Sequence, residues 1–405
     1  MKATGFIAVL TAVIFTACEA GSFDTMAPGD AEGGRGDAEM MGPSDGEPGE
    51  EGSNGGNSLA GVVTAGEWND LENWGFWNNL MSGQNEGKFY EYLNYWSLYT
   101  GDRFAVTVVN DAGNPVCGAK VELFVDEADK PEWTAISDNK GSAELWFNIH
   151  TSIDIDIERT FTAAVNGVKW NEPLRPTYNF AEEVNMNTLV AESVTTSKSA
   201  DIAFIVDATG SMYDEIDFLK DDLLNIIERA SSGSSIELRT GALFYRDEGD
   251  EYVTRIKDFN KDSKKTLKFI KDQNAGGGGD YPEAVHTALE KALQDMSWEE
   301  GNYARIAFLL LDAPPHHQQN VIESLQKSIK LYAAKGIKII PIAASGVDKN
   351  TEFILRLMAI FTDGTYTFIT NHSGVGGDHL IPTVGEYQVE QLNDLIVRLI
   401  QEYTE

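Results

Sequence analysis

From Asp201 to the C-terminus, short and nearly continuous apolar runs alternate with longer amphipathic ones. No other feature constrains the fold as strongly. The runs are DIAFIVD, RTGALFYRD, YVTRIKDF, ARIAFLLLD, GIKIIPIAA and TYTFIT. Strands apolar throughout need cover on both faces. The intervening segments carry helical spacing near Met212–Ser231, Lys264–Asp272, Pro282–Met296, Gln319–Ala334, Thr351–Phe361 and Val389–Tyr403. Residues 198–405 are therefore expected to form a doubly wound, mainly parallel α/β sheet. Ligands of such sheets sit outside the carboxyl ends of the strands.

Three oxygen-rich loops fall on that edge. The first is Asp207-Ala-Thr209-Gly-Ser211, directly after a strand. The second is GGGGDYPEAVHTAL, with Asp280 and Glu283 at the start of a helix, and the third is LLLDAPPHH, with Asp312 closing a strand. Hard divalent cations take oxygen ligands, and Mg²⁺ wants six at about 2.0–2.1 Å while keeping some water. Two hydroxyls and a few carboxylates leave a position for an outside oxygen.

With Asp-x-Thr-x-Ser and the two later loops, residues 201–405 resemble a von Willebrand factor type A domain, a Rossmann-like fold with a metal-ion-dependent adhesion site. The resemblance implies that Thr209 and Ser211 bind Mg²⁺ (or Mn²⁺ or Ca²⁺) directly. It implies that Asp207 and Asp312 hold the ion directly or through water. Thr209 stands where the family usually has serine, which keeps the hydroxyl. Asp280-Tyr281-Pro282-Glu283 resembles the Asp-x-Pro-Glu loop of integrin β-subunit I-like domains, which implies that Glu283 ligates the central ion. By the same likeness Asp247 and Asp280 contribute with Glu283 to a flanking site, and Asp214 and Glu215 to a second one.

Other readings of these residues stand beside the metal one. Asp280 could cap a helix with Pro282 in its first turn. Asp214 and Glu215 suit the positive end of a helix dipole. Asp247 beside Arg246 could be a surface ion pair. His316 and His317 are either a surface pair, a base, or ligands of a softer metal.

The N-terminal part divides into four. Residues 1–17 carry Lys2 and the apolar run GFIAVLTAVIFTA, too short to span a bilayer. With FTAC it resembles the lipobox of bacterial lipoproteins, which implies acylation of Cys18 and a lipid anchor, probed against an ordinary secretory leader. Residues 18–60 are Gly- and acid-rich, ten carboxylates against Arg35 alone, and read as a disordered tether. Arg35-Gly36-Asp37 within it is the tripeptide integrins read, but chance in so biased a tract is the favoured origin. Residues 61–100 hold Trp68, Leu71, Trp74, Trp77 and Met81 at helical spacing, either a sugar platform or a helical face packed on its neighbour. Residues 101–196 alternate short strands with Asn, Asp, Gly and Pro turns, which predicts a β-sandwich. VVNDAGNPVCGAKVELF and WTAISDNKGSAELWF resemble carboxypeptidase-regulatory-like sandwiches. Cys117 is expected to be a small buried residue near a turn.

A formal net charge of −33 excludes nucleic acid as a partner and favours cations. The expectation is a multidomain cell-envelope lipoprotein, anchored in the outer membrane. Its C-terminal domain would bind a protein that donates a carboxylate to the cation. Polysaccharide capture by the Trp-rich segment and metal-dependent hydrolysis are the alternatives. No small-molecule cofactor and no catalytic residue is assigned.

Overall fold

The computed structural model describes residues 63–83, 89–150, 158–177, 183–232, 235–371 and 379–404. The leader, Cys18, the tether and its Arg-Gly-Asp lie outside the described residues. The chain enters through β1 (Thr64–Trp68), α1 (Trp74–Met81) and α2 (Phe89–Trp96). Seven strands follow: β2 (Asp102–Val109), β3 (Lys120–Val125), β4 (Trp133–Ile136), β5 (Ser142–Phe147), β6 (Phe161–Val165), β7 (Val168–Lys169) and β8 (Met186–Val190). They form two sheets, ordered β5-β2-β8 and β4-β3-β6-β7, where the turn spacing predicted a sandwich.

The C-terminal half runs β9 (Ser197–Asp207), α3 (Tyr213–Ala230), β10 (Glu237–Tyr245), β11 (Thr254–Asn260), α4 (Ser263–Lys271), α5 (Val285–Asp295) and β12 (Asn302–Leu311). It closes with α6 (Gln319–Ala334), β13 (Lys338–Ala343), α7 (Lys349–Phe361), β14 (Tyr366–Ile369), β15 (Glu390–Gln391) and α8 (Leu392–Thr404). Every apolar run named above becomes a strand. The sheet order is β11-β10-β9-β12-β13-β14-β1-β15, and the pairs from β10 across to β14 are parallel. Side chains alternate between faces along a strand. Ile202, Phe204 and Val206 of β9 pack with α3, α4 and α8, while Ala203 and Ile205 pack with α5, α6 and α7.

The N-terminal segment departs from the reading as one helical stretch. Thr64–Trp68 is a strand, paired antiparallel with β14 and β15 inside the large sheet. Asn69 then turns the chain, its Oδ1 accepting the Leu71 N–H at 2.9 Å, so only the spacing from Trp74 onward becomes helix. Short local spacing yields to an open sheet edge that needs a partner. The four tryptophans of the segment are buried: Trp74 packs on Trp146 of the sandwich and Trp77 on Phe353 of α7. Rings in the core cannot form a sugar platform, and that alternative falls.

One apolar core runs without a break from the sandwich through α1 and α2 to the α5–α7 face of the sheet. Helix α7 shows the consequence. It is buried from Thr351 to Phe361 on every side, as a helix is when neighbours cover its outer face too.

Candidate functional site

Asp207 is the last residue of β9, and Asp312 follows the last residue of β12. These two strands are adjacent and parallel, with Val206 opposite Leu310, so the two carboxylates stand at neighbouring strand mouths. Asp207 Oδ1 accepts the Thr209 N–H at 2.8 Å and the Thr209 hydroxyl at 2.7 Å. The Thr209 and Ser211 hydroxyls are 3.5 Å apart, and the Ser211 hydroxyl donates to Asp312. The first and third predicted loops therefore meet through their oxygens.

The Gly-rich loop is brought to them by its backbone. Gly276 N–H donates to the Ala208 carbonyl at 3.0 Å, and Gly210 N–H to Gly277 at 3.3 Å. Glu283 N–H donates to the Pro314 carbonyl at 2.9 Å. Gly277 and Gly278 both have positive φ, which side chains rarely tolerate. A Cβ on Gly278 would stand 3.3 Å from both Glu283 Oε1 and Thr209 Cβ, so that glycine keeps open the gap between these two residues.

The electrostatics record carboxylates taken out of water without counter-charge. Asp207 is wholly buried, and burial followed by the Asp312 charge pushes its carboxyl up to about 7. Burial, then Asp207, Asp247, Asp312 and Asp250, push Glu283 up to about 9. Asp312 is raised by burial. Glu283 Oε2 and Asp312 Oδ1 are buried with no hydrogen-bond partner among the described residues, while Asp207 also meets the buried Tyr245 hydroxyl from the neighbouring strand. Buried polar atoms ordinarily have partners, so two unpartnered carboxylate oxygens in the electrostatic neighbourhood of Asp207 suit a hard cation. Among the described residues no group of three or more His, Cys, Asp or Glu is gathered to hold a metal unaided. Thr209, Ser211 and water would have to supply the remaining oxygens, which is the chemistry of a hard ion.

The residues expected at the flanking sites lie in differing surroundings. Asp280 is exposed, and it is no helix cap, since α5 begins at Val285 after Ala284. Asp247 is buried, but its Oδ1 lies 2.7 Å from His316 Nε2. Asp214 and Glu215 both fall in the first turn of α3, yet Asp214 is exposed while Glu215 is buried and accepts the Ser345 hydroxyl at 2.8 Å. Successive helix positions diverge, and Glu215 is the one turned toward the end of the sheet at Ser345. His316 and His317 are not an idle surface pair: His317 stacks on Tyr95. Cys117 is only partly buried, a free thiol 3.4 Å from the Tyr303 carbonyl and pushed up to about 11 by burial.

Sequence reasoning missed the braces. Arg246 is buried and donates to the Ala208 and Asn274 carbonyls, at 3.1 and 2.9 Å, tying the first loop to the second. Asp250 Oδ2 accepts the N–H groups of Asp247 and Gly278, at 3.2 and 3.0 Å. The acid density of YRDEGDEY and the four-glycine run were the available signals.

Residues 201–374 match the family model of the von Willebrand factor type A domain. An ariadne-like RING finger protein of Acanthamoeba polyphaga mimivirus is 31% identical over 129 residues, 32% of this chain and 12% of that protein. An alpha-protein kinase, vwkA, of Dictyostelium discoideum is 30% identical over 131 residues, 32% of this chain and 20% of that protein. The chain thus matches only 12% and 20% of the length of these relatives. Among solved structures, the conserved hypothetical protein BatB from Bacteroides thetaiotaomicron aligns over 50% of this chain and 98% of its own. Its TM-score is 0.35 and its identity 13%.

Proposed function

We propose that the von Willebrand factor type A domain at residues 201–374 binds a partner protein through a divalent cation, Mg²⁺ first, held by Asp207, Thr209, Ser211, Glu283 and Asp312. The observation that carries this reading is the meeting of Asp207 and Asp312 with the Thr209 and Ser211 hydroxyls at the carboxyl edge of the sheet, with buried Glu283 across Gly278 from Thr209. A bound cation would supply positive charge and an open coordination position, reversing the local sign so that an acidic protein can take an acidic ligand. The chain's part is to hold the oxygens apart and keep the gap open, through Gly278, Arg246 and Asp250. The leader and FTAC support placing the molecule in a bacterial cell envelope, lipid-anchored at Cys18 in the outer membrane, on either its periplasmic or its surface face. The domain is read as a binding module and not an enzyme.

Calorimetric Mg²⁺ and Mn²⁺ titration of the chain, wild type against Asp207→Ala, tests the site. Heat of binding is expected in the wild type and not in the variant, and equal heats would remove the reading. The His316–Asp247 contact favours one second reading, metal-assisted hydrolysis with His316 as base. EDTA-sensitive turnover of simple esters, lost in His316→Ala, would support hydrolysis over binding.

A further inference from the structure

The third loop of the site is gripped from outside the α/β domain. The His317 ring lies on that of Tyr95, centroids 3.5 Å apart and 17° from parallel, and His317 Nε2 is 2.7 Å from the Tyr95 carbonyl oxygen. Trp96 meets the same imidazole edge-on at 5.5 Å. Helix α2, which supplies both rings, is itself fixed. Trp96 is buried and its indole N–H donates to Asn350 Oδ1 at 2.8 Å. Gln326 donates to the Ser97 carbonyl at 2.8 Å, and Phe89 packs on Phe353.

The loop is held equally on its inner side, where His316 meets Asp247 and the Pro314 carbonyl accepts the Glu283 N–H. Between Asp312 and the two histidines stand Pro314 and Pro315, whose locked φ makes this short stretch stiff. A displacement of His317 is therefore passed back toward Asp312 instead of being absorbed. The contact itself adds little to the core, since Tyr95 is 40% exposed and His317 is exposed. Its consequence lies in where the loop is held.

We propose that Tyr95 and His317 form a clamp by which the N-terminal aromatic helix positions Asp312, so that cation affinity depends on a segment 222 residues away in the chain. This rests on the metal reading above. Both are positioning residues, and neither is placed on the cation. The segment that leads out to the tether is thereby wired to the binding site.

The test is Mg²⁺ titration of the full chain as wild type, Tyr95→Ala, His317→Ala, the double variant and Tyr95→Phe. Each alanine variant is expected to bind on the order of 10-fold more weakly, as when an outer contact of a metal ligand is lost. The double variant should be no weaker than His317→Ala, which already removes both the ring stack and the hydrogen bond to the Tyr95 carbonyl, whereas Tyr95→Ala removes the stack alone. Tyr95→Phe keeps the ring and the carbonyl and should bind as wild type. Metal-free melting temperatures should agree to within about 2–4 °C, a small shift for a chain this large. Wild-type affinity in either alanine variant, with Asp207→Ala still abolishing binding, overturns the clamp alone. So do additive losses, or losses matched by lower metal-free melting temperatures. A wild type without binding heat removes the metal reading and the clamp with it.

Discussion

Glu283 is the residue on which the site's pH behaviour turns. Its carboxyl stands at about 9 against an ordinary 4.5, and Asp207 stands at about 7 against 3.8. Both are raised, so in the metal-free chain the folded state holds protons that the unfolded state has released. Stability then falls as pH rises through the window between ordinary and raised values. In EDTA, the wild type should lose melting temperature relative to Glu283→Gln between pH 5 and pH 9, and parallel curves would refute it. A cation requires the deprotonated carboxylates, so its binding must release protons. Mg²⁺ affinity should climb across the same window, and titrations in buffers of different ionisation enthalpy should report net proton release. Asp250 belongs at this scale too. Asp250→Ala frees the amides of Asp247 and Gly278, and a loss of roughly 10-fold in Mg²⁺ affinity is expected by the same calorimetry, with no ligand itself removed.

At the scale of elements, α7 carries the clearest contrast between sequence and structure. The pattern Thr351–Phe361 gave away its helix and nearly its ends, because period and apolarity are local properties. Its burial was not legible, because the covering groups come from sequence-distant elements. Arg356 is the sharpest case, fully buried and paired with Asp70 at 2.8 and 2.5 Å across 286 residues, with Glu352 beside it. The same division holds at the site. The meeting of Asp207, Thr209, Ser211 and Asp312 was readable because all four lie within a few residues of two strand ends, those of β9 and β12. The Asp247–His316 and Glu215–Ser345 contacts were not, since loop-to-loop pairing leaves no periodic trace. Asp70→Ala leaves a guanidinium in the core without its main partner and should destabilise the chain by about 3–5 kcal/mol, measurable by urea denaturation. Asp70→Asn, which keeps an acceptor oxygen, should cost less, and equal costs would mean that the charge is not what matters.

On the scale of the whole molecule, the family match ends short of the folding unit. Residues 201–374 are the recognisable domain, but β1 lies between β14 and β15 in its sheet, and the sandwich lies against its helices. Phe361 packs on Trp133 and Trp146, and Phe353 on Trp77 and Phe89, while Lys338 reaches Asp138 at 3.3 Å and Asn139 donates to the Glu402 carbonyl at 2.7 Å. Cutting the chain at residue 198 would expose those two phenylalanines, at about 1.5–3 kcal/mol each. It would also strip Arg356 of Asp70, at about 3–5 kcal/mol. Together these approach the roughly 5–15 kcal/mol that holds a whole domain folded. Residues 198–405 alone should therefore show no cooperative thermal transition and should bind hydrophobic dye, whereas residues 63–405 should melt in one transition by scanning calorimetry. A sharp melt of the shorter piece within a few degrees of the longer one would mean that the continuous core is contact without cooperativity. The N-terminal helices would then have no energetic means of reaching the metal loop.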